Sequence, residues 1–170
     1  MQQGKMYLGK SEYINNGTDM ADTFLHISEE DEKVSKDLYN MKYYNQAVYF
    51  LLQSMEKYVK HVICKKIDAT KPYFAEKIRE TGHSIDKSLN FLIEIIVGND
   101  KNLKEQIELQ IRHTICRGLK FTVIHNAVRY PTYSEKKNNY KTLSMNAQDY
   151  DELYKIYNAL KKFLKDFDRI

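Results

Sequence analysis

Cysteine is scarce in this 170-residue chain, and long apolar runs are missing. The two cysteines, Cys64 and Cys116, fit neither a metal site nor a disulfide framework, so both are expected to be buried, reduced thiols. The first ten residues lack the apolar core of a signal peptide, and no run approaches about eighteen apolar residues. These absences predict a soluble, cytoplasmic protein without a membrane segment.

The short motifs of metal and phosphate chemistry are missing as well. The five histidines and the acidic residues form neither an HExxH motif nor a histidine-rich cluster, so the sequence predicts no metal site and no cofactor. Neither of the usual glycine-rich phosphate loops, GxxxxGKS/T and GxGxxG, occurs. No segment alternates with period two for long enough to be a strand, which favours an all-α fold.

Charge and composition permit contact with phosphate without demanding it. The 27 basic and 23 acidic side chains are well mixed and give a net charge of +4, whereas a nucleic-acid module usually shows a denser basic cluster. Tryptophan is absent, but the 14 tyrosines suit helix surfaces that are half buried. The length is sufficient for one domain with a real core.

The stretch from Tyr43 to Lys66 predicts a long helix around which the other helices pack. Its apolar residues repeat with the spacing of one helix face, without glycine or proline. Its opposite edge is polar and is either a solvated face or one wall of a binding cleft. This edge contains Gln46, Tyr49, Gln53, Lys57 and Lys60. The side chains that we expect to be buried in the bundle are Leu51, Leu52, Met55, Val59, Leu92, Ile111, Leu160 and Phe163.

The chain before this helix is predicted in two parts. Residues 1–27 show no sustained period and are typical of a poorly ordered or loosely docked N-terminal arm. Ser28, followed by four acidic residues, has the form of a helix start, and Val34 and Leu38 are expected to face inward. Residues 28–170 would then form one helical domain.

The next two helices are marked by their end residues. Ser84 is expected to cap the third helix and Gly98 to close it. One of residues 99–100 caps a fourth helix, which is expected to continue until Pro131. Gly118 lies inside that run, where either a neighbour packs closely or the helix bends. The inward stripe of the fourth helix is predicted to be Leu103, Ile107, Ile111, Ile115, Leu119 and Val123.

The remaining residues predict a loop and a final helix. The span from Thr132 to Met145 is polar and is expected to be an exposed loop. Asn146 can cap the last helix, which has a regular apolar stripe. The predicted fold is therefore all-α, an up-and-down bundle of four to five helices.

Four short motifs resemble, in their order and spacing, those of the HEPN family. These are small helical domains found beside nucleotidyltransferases and in sacsin-like proteins. The motifs are YNQA at residues 44–47, QSMEKYVK at 53–60, GHSI at 82–85 and VRYP at 128–131. The resemblance covers nearly the whole chain, and it implies a helical bundle that forms a homodimer.

The resemblance also implies one of two activities. Some HEPN members are metal-independent ribonucleases, often toxins of toxin–antitoxin pairs, with an Arg followed after four to six residues by a His. Others bind nucleotides or act as partners of a nucleotidyltransferase without cleaving RNA. The nearest match in this chain is Arg117 and His125, with seven residues between them. On a straight helix this step turns about 80° from the starting face, so only a distortion near Gly118 would bring the side chains together.

We therefore expect a HEPN-type module that binds a nucleotide, another anionic ligand or a nucleotidyltransferase-like partner without strong catalysis. His125 and Arg129 are four residues apart and share a helix face, and both side chains can hold phosphate. The expected ligand-binding residues are Gln53, Lys57, His125, Arg129 and Tyr130.

Two alternatives stay open. The first is a ribonuclease in which Arg117 and His125 act on one phosphate of RNA. The second is a helical dimerisation protein with no small ligand. In a purely structural role, His125 would bond a backbone carbonyl, and Arg129 would fix the loop or pair with an acid such as Glu56.

Overall fold

Residues 17–167 are described by a computed structural model, and they form a helical bundle. The helices are α1 (Gly17–Asn40), α2 (Tyr44–Lys66), α3 (Pro72–Thr81), α4 (Ile85–Val97), α5 (Lys101–Leu109), a π-helical turn (Gln110–Ile115), α6 (Phe121–Ala127) and α7 (Ala147–Phe167). The all-α prediction is confirmed, although this part of the chain has seven α-helices rather than four or five. None of them is long and apolar enough to cross a lipid bilayer.

Helix α2 is the centre of the bundle, as predicted. It packs against α1, α4, α6 and α7, and its apolar stripe is buried along its length. All but one of the predicted core residues are fully buried; the exception is Phe163, which is only partly buried at the edge of the core. Burial of each Leu-sized side chain contributes about 1.5–3 kcal/mol, so this stripe is a major source of the stability of the fold.

Helix α1 begins at Gly17 rather than at Ser28, which corrects the predicted helix start. Residues 17–27, assigned to the arm, are the first part of this helix, while residues 1–16 lie outside the described part of the chain. Ser28 does not cap a helix, because it lies inside α1. Its buried hydroxyl donates to the backbone oxygen of Ser54 at 2.9 Å.

The fully buried residues of α1 are small, and larger apolar side chains such as Phe24 and Leu38 are only partly buried beside them. Ala21, Ser28 and Ser35 recur every seven residues, and all three are buried. The Ser35 hydroxyl donates to the backbone oxygen of Ala47 at 2.8 Å, so α1 approaches α2 closely through hydrogen bonds. Val34, predicted to face inward, is instead exposed, because these small residues occupy the contact.

The predicted end residues of α4 and α5 are confirmed. The Ser84 hydroxyl accepts a hydrogen bond from the backbone N–H of Lys87 at 3.2 Å, and Asp100 accepts one from Leu103 at 3.0 Å. Gly98 ends α4 with a φ of 53°, a conformation that glycine adopts without strain. The segment between α2 and α4 forms a further helix, α3, with a proline at its start.

The predicted fourth helix is broken, so the prediction of one continuous helix up to Pro131 is wrong. After α5 and the π-helical turn, Arg117 and Gly118 adopt left-handed φ values of 52° and 71°. The chain then restarts as α6, and the carboxylate of Asp86 accepts hydrogen bonds from the backbone N–H and the hydroxyl of Thr122 at 3.0 and 2.8 Å. This carboxylate holds the first turn of α6 against α4.

The break shifts which residues of α6 face the core. Leu119 and Val123, predicted to be buried, are exposed, with 61% of Val123 accessible. Phe121 and His125 are buried in their place. An apolar stripe that is continued across the break therefore predicts the wrong buried face of α6, and the burial of His125 is missed.

The span after Pro131 is exposed, as predicted, but it contains a small hairpin. Strands β1 (Thr132–Ser134) and β2 (Asn139–Lys141) are antiparallel, with Tyr133 opposite Tyr140. Three-residue strands are too short for a period-two pattern to reveal them. Asn146 caps α7 as predicted, accepting from the backbone N–H of Asp149 at 3.1 Å.

Candidate functional site

Two of the predicted ligand-binding residues, Gln53 and His125, meet between α2 and α6. Their Nε2 atoms are 2.7 Å apart. Lys57 Nζ donates to Gln53 Oε1 at 2.8 Å, which orients the amide so that its NH₂ group faces His125. The Nε2 atom of His125 is therefore the acceptor, and the neutral imidazole carries its proton on Nδ1.

The surroundings of His125 favour its neutral form. Its side chain is almost completely covered, with only 5% of the residue accessible. Burial lowers the pKa of His125, and the nearby Arg129 charge lowers it further, while a hydrogen bond with Asn126 and the charge of Glu56 oppose these effects. The lowered pKa disfavours the charged imidazolium, which is the form that would attract phosphate.

Arg129 lies on an open face beside His125, between two tyrosine rings. Its guanidinium carbon is 5.1 Å from the ring centre of Tyr49 and 4.8 Å from that of Tyr130, and it donates to the Tyr130 hydroxyl at 2.8 Å. Within residues 17–167, no carboxylate is found in ion-pair distance of Arg129, so the considered pairing with Glu56 does not occur. The charge of the guanidinium is therefore not neutralised by a neighbouring acid and can attract an anionic ligand.

Lys57, by contrast, already has partners. Its Nζ lies 2.8 Å from Asp31 Oδ2 on α1, in addition to its bond with Gln53. Between Gln53 and Lys60 the polar edge of α2 is therefore not a solvated face, since both of these residues are buried. Of the five predicted binding residues, only Arg129 and Tyr130 are exposed, and Gln53 and Lys57 support His125 from behind.

A second polar group is built one turn further along α2, around Glu56. Glu56 Oε1 accepts from Lys60 Nζ at 2.7 Å, and Lys60 also donates to the backbone oxygen of Gly82 at 2.6 Å. Glu56 Oε2 is buried and has no hydrogen bond, although His83 Nδ1 lies 3.4 Å away. The sequence gives one signal for this group, a Glu and a Lys four residues apart on one helix face.

Arg117 does not join His125. Its guanidinium lies 3.0 Å from Glu152 Oε2 on α7, whereas His125 bonds Gln53 on α2. The left-handed turn at Arg117 and Gly118 ends the helical path between the two residues, but it does not bring their side chains onto shared partners. The arrangement that acid–base cleavage of RNA requires is therefore not formed by this pair.

The predicted binding cleft is instead an open surface, on which Arg129 and Tyr130 are exposed. A cavity of about 710 Å³ does lie in the bundle, but between the first turns of α1 and the end of α2, where it is lined by residues such as Leu25, His61 and Cys64. It contains none of the predicted ligand-binding residues. Among the described residues there is no cluster of three side chains suited to a metal ion.

Comparison of the chain with family models, curated proteins and solved structures gave no match. The HEPN resemblance therefore stays a prediction that rests on the four sequence motifs. Function has to be inferred from the residues around Arg129 and Glu56.

Proposed function

We propose that this chain is a HEPN-type module that binds a nucleotide or another anionic ligand weakly on the open face around Arg129, without strong catalysis. The observation that carries the proposal is the guanidinium of Arg129, which lies over the rings of Tyr49 and Tyr130 and has no acidic partner among residues 17–167. We call these three residues the anion site.

The chemistry of the anion site suits a nucleotide. A guanidinium presents several N–H groups in one plane and binds phosphate oxygens through charge-assisted hydrogen bonds. Tyr130 is exposed and Tyr49 is half-buried, so a base can stack beside the guanidinium on an aromatic surface. The site is open rather than enclosed, which supports weak binding, because a ligand on such a surface stays largely solvated.

The surroundings of His125 favour binding over cleavage. A general base needs an accessible lone pair within about 3 Å of the proton that it removes. The Nε2 lone pair of His125 accepts from Gln53, and the ring is buried. Arg117, the cation of the ribonuclease alternative, is engaged by Glu152.

The test is a calorimetric titration with ATP and GTP at low ionic strength. Arg129→Ala is expected to weaken binding at least about tenfold, since a charge-assisted hydrogen bond contributes about 1.5–3 kcal/mol. Arg129→Lys should restore part of the affinity. Arg79→Ala is the matched control, because Arg79 is an exposed arginine on α3 that pairs with Glu76; this variant should bind as the wild type does.

An RNA-cleavage assay on the wild type and His125→Ala completes the test. Slow or absent cleavage, together with nucleotide binding that depends on Arg129, is the expected result. Robust cleavage that vanishes in His125→Ala would overturn the proposal and favour the ribonuclease toxin. Absence of both cleavage and binding would also overturn it, and would leave the helical dimerisation protein.

A further inference from the structure

The β-hairpin between α6 and α7 presents two tyrosine rings to solvent. Tyr133 on β1 is directly opposite Tyr140 on β2 in the antiparallel register, so both side chains lie on one face of the hairpin. Their ring centres are 5.3 Å apart, with an interplanar angle of 68°. Neither ring belongs to the hydrophobic core, and 47% of Tyr133 and 68% of Tyr140 are accessible. The hairpin therefore holds two large aromatic side chains together outside the packed interior of the bundle.

The turn of the hairpin restrains this aromatic face. The hydroxyl of Tyr133 donates a hydrogen bond to the side-chain oxygen of Asn138. Asn138 has a φ of 46°, a left-handed conformation that asparagine adopts more readily than most residues. Its backbone N–H donates to the backbone oxygen of Glu135 at 3.1 Å and closes the turn. Because the ring of Tyr133 is tied to the turn, a ligand that stacks on it has less conformational freedom to remove.

The same hairpin concentrates positive charge. Lys136 and Lys137 lie in the turn and Lys141 ends β2, and all three are exposed. Among the described residues, none of these lysines has an acidic partner within ion-pair distance. Residues 129–141 contain four cationic side chains but a single acid, Glu135, whereas the basic and acidic residues of the whole chain are nearly balanced. A local excess of unpaired cations attracts phosphate groups.

We infer that this hairpin is a contact surface for single-stranded nucleic acid, with bases stacked on its two tyrosine rings and phosphates bound by its three lysines. Exposed aromatic rings stack on bases of any identity, and neighbouring lysines neutralise the backbone of the strand. A duplex fits less well, since its bases are stacked on each other and closed to the rings. An acidic protein segment would offer carboxylates to the lysines but no planar base to the tyrosines.

The hairpin begins close to the anion site, because only Pro131 separates Tyr130 from β1. The Cα atoms of Tyr130 and Tyr133 are at most about 11 Å apart, at about 3.8 Å for each residue. A strand bound to the hairpin can therefore reach the anion site as well. The inference goes beyond the proposed function and does not depend on it, since the hairpin has its own rings and cations.

The first experiment compares three polyanions by fluorescence anisotropy at low ionic strength: oligouridine of about 12 nucleotides, an RNA duplex of the same length and polyglutamate. Oligouridine should bind about fivefold or more tightly than either of the others, because it alone offers unpaired bases to the tyrosines. Equal or tighter binding of polyglutamate would mean that only charge is recognised, and it would overturn the inference. A preference for the duplex, which has the higher charge density, would overturn it too.

The rings are tested by substitutions of Tyr140. Tyr140→Ile retains a residue that favours strands but removes the ring, and it should weaken oligouridine binding about fivefold or more. Tyr140→Phe retains the ring and should bind as the wild type does. Tyr73→Ile is the matched control, since Tyr73 is 64% accessible on α3, outside the hairpin. Undiminished binding in Tyr140→Ile, or an equal loss in Tyr140→Phe, would overturn the stacking of bases on this ring.

The lysines are tested by the salt dependence of oligouridine binding. For single strands, the slope of log K against log salt changes by about 0.7 for each phosphate contact, so Lys136→Gln combined with Lys137→Gln should reduce its size by about 1.4. Tyr140→Ile should retain the slope of the wild type. The control combines Lys71→Gln with Lys77→Gln, two exposed lysines that pair with acids. A slope that does not change in the hairpin variant would overturn the phosphate contacts.

A titration with ATP separates this inference from the proposed function. Binding of ATP that is lost in Arg129→Ala, together with oligouridine binding that is indifferent to the hairpin variants, would overturn the inference and leave the proposed function. Absence of ATP binding, together with oligouridine binding that is weakened in Tyr140→Ile, would overturn the proposed function and support the hairpin as an independent surface. We expect that ATP binding depends on Arg129 and oligouridine binding on the hairpin.

Discussion

Gln53 on α2 and His125 on α6 are joined by a hydrogen bond of 2.7 Å between their Nε2 atoms. This bond fixes α6, a helix of only seven residues, to the buried side of the central helix. It also consumes the lone pair that His125 would need as a base. The same contact therefore anchors the chain beside Arg129 and opposes a catalytic role for His125.

Removal of the Gln53 amide should destabilise the bundle through His125. In Gln53→Leu, the buried Nε2 atom of His125 loses its donor, and an unsatisfied buried polar group costs about 1–3 kcal/mol. Urea unfolding measures the loss. Gln46→Leu is the control, since Gln46 is exposed on the same helix and should change stability by no more than about 0.5 kcal/mol.

A double-mutant cycle then tests whether the effect of Gln53→Leu acts through His125. Gln53→Leu, His125→Ala and the double variant should be non-additive, with a coupling energy of about 0.5–3 kcal/mol. Additive losses would mean that the two side chains do not interact in solution.

The apolar stripe of α2 is tested by a buried and an exposed leucine. Leu52 is fully buried, whereas 61% of Leu109 is accessible on α5. Leu52→Asp should unfold the domain, because it places a carboxylate in the core without a partner. Leu109→Asp should retain a cooperative thermal transition close to that of the wild type. A Leu52→Asp protein with an unchanged melting curve would contradict the buried face of α2.

Apolar periodicity predicts α2, α4 and α7 because each of these helices buries a continuous apolar stripe. It misses the fully buried positions Ser28 and Ser35 of α1, because serine carries no hydrophobic signal. It also fails at the break before α6. Which face of α6 is buried is decided by the bond of Thr122 to Asp86, a contact between distant segments.

In the candidate site, too, the sequence predicts local spacing but not the contacts between helices. His125 and Arg129 are predicted from their spacing on one helix, but α6 ends at Ala127, before Arg129. The two side chains are neighbours through the ring of Tyr49, which both of them contact. The contact between Glu56 and His83 joins α2 to the turn before α4, and no local pattern in the sequence encodes it. Pairings across helices depend on the packing of the whole bundle, so residue spacing alone does not reveal them.

The lowered pKa of Glu32 predicts that the protein loses stability in acid. Burial by itself would raise the pKa of Glu32, but hydrogen bonds from Lys161, Lys36 and Tyr154 outweigh it and lower the pKa to about 2, from an ordinary value of 4.5. A group whose pKa is lowered by folding stabilises the protein above its unfolded pKa. That contribution is lost as the pH falls from about 4.5 to about 2.

Glu32→Gln should therefore flatten the dependence of stability on pH in this range. After allowance for solvent screening, the expected difference from the wild type is about 1–2 kcal/mol between pH 5 and pH 2.5, measured by urea unfolding. Glu29→Gln is the control, because Glu29 is an exposed acid on the same helix. Equal pH dependence in the wild type and Glu32→Gln would show that the three partners do not hold Glu32 in solution.

The two cysteines are expected to be unreactive in the folded protein. Both are buried and free, and burial raises the pKa of Cys64 to about 11 and that of Cys116 to about 12. The thiolate is the reactive form, so iodoacetamide should modify neither residue appreciably at about pH 8. Both should be alkylated in urea, as peptide mass spectrometry would show. Rapid alkylation of either cysteine without urea would contradict its burial.

Gly118 lies in the break before α6, and its backbone conformation predicts that a side chain at this position destabilises the protein. Its φ of 71° is one that residues with a side chain adopt only at a cost, and an added Cβ would meet no atom within 4 Å. Gly118→Ala should therefore destabilise the protein by about 1 kcal/mol through backbone strain alone, without a steric clash. Gly118→Asn should be milder, because asparagine tolerates the left-handed conformation better than alanine does.

The sign of the stability change in Gly118→Ala distinguishes a broken helix from a continuous one in this segment. If residues 100–130 formed one continuous helix, alanine would be the better helix former, and Gly118→Ala would stabilise the protein by about 1 kcal/mol. The break predicts the opposite sign. Urea unfolding of Gly118→Ala and Gly118→Asn thus decides whether Phe121 and His125, or Leu119 and Val123, face the core, and with it whether His125 is buried against Gln53.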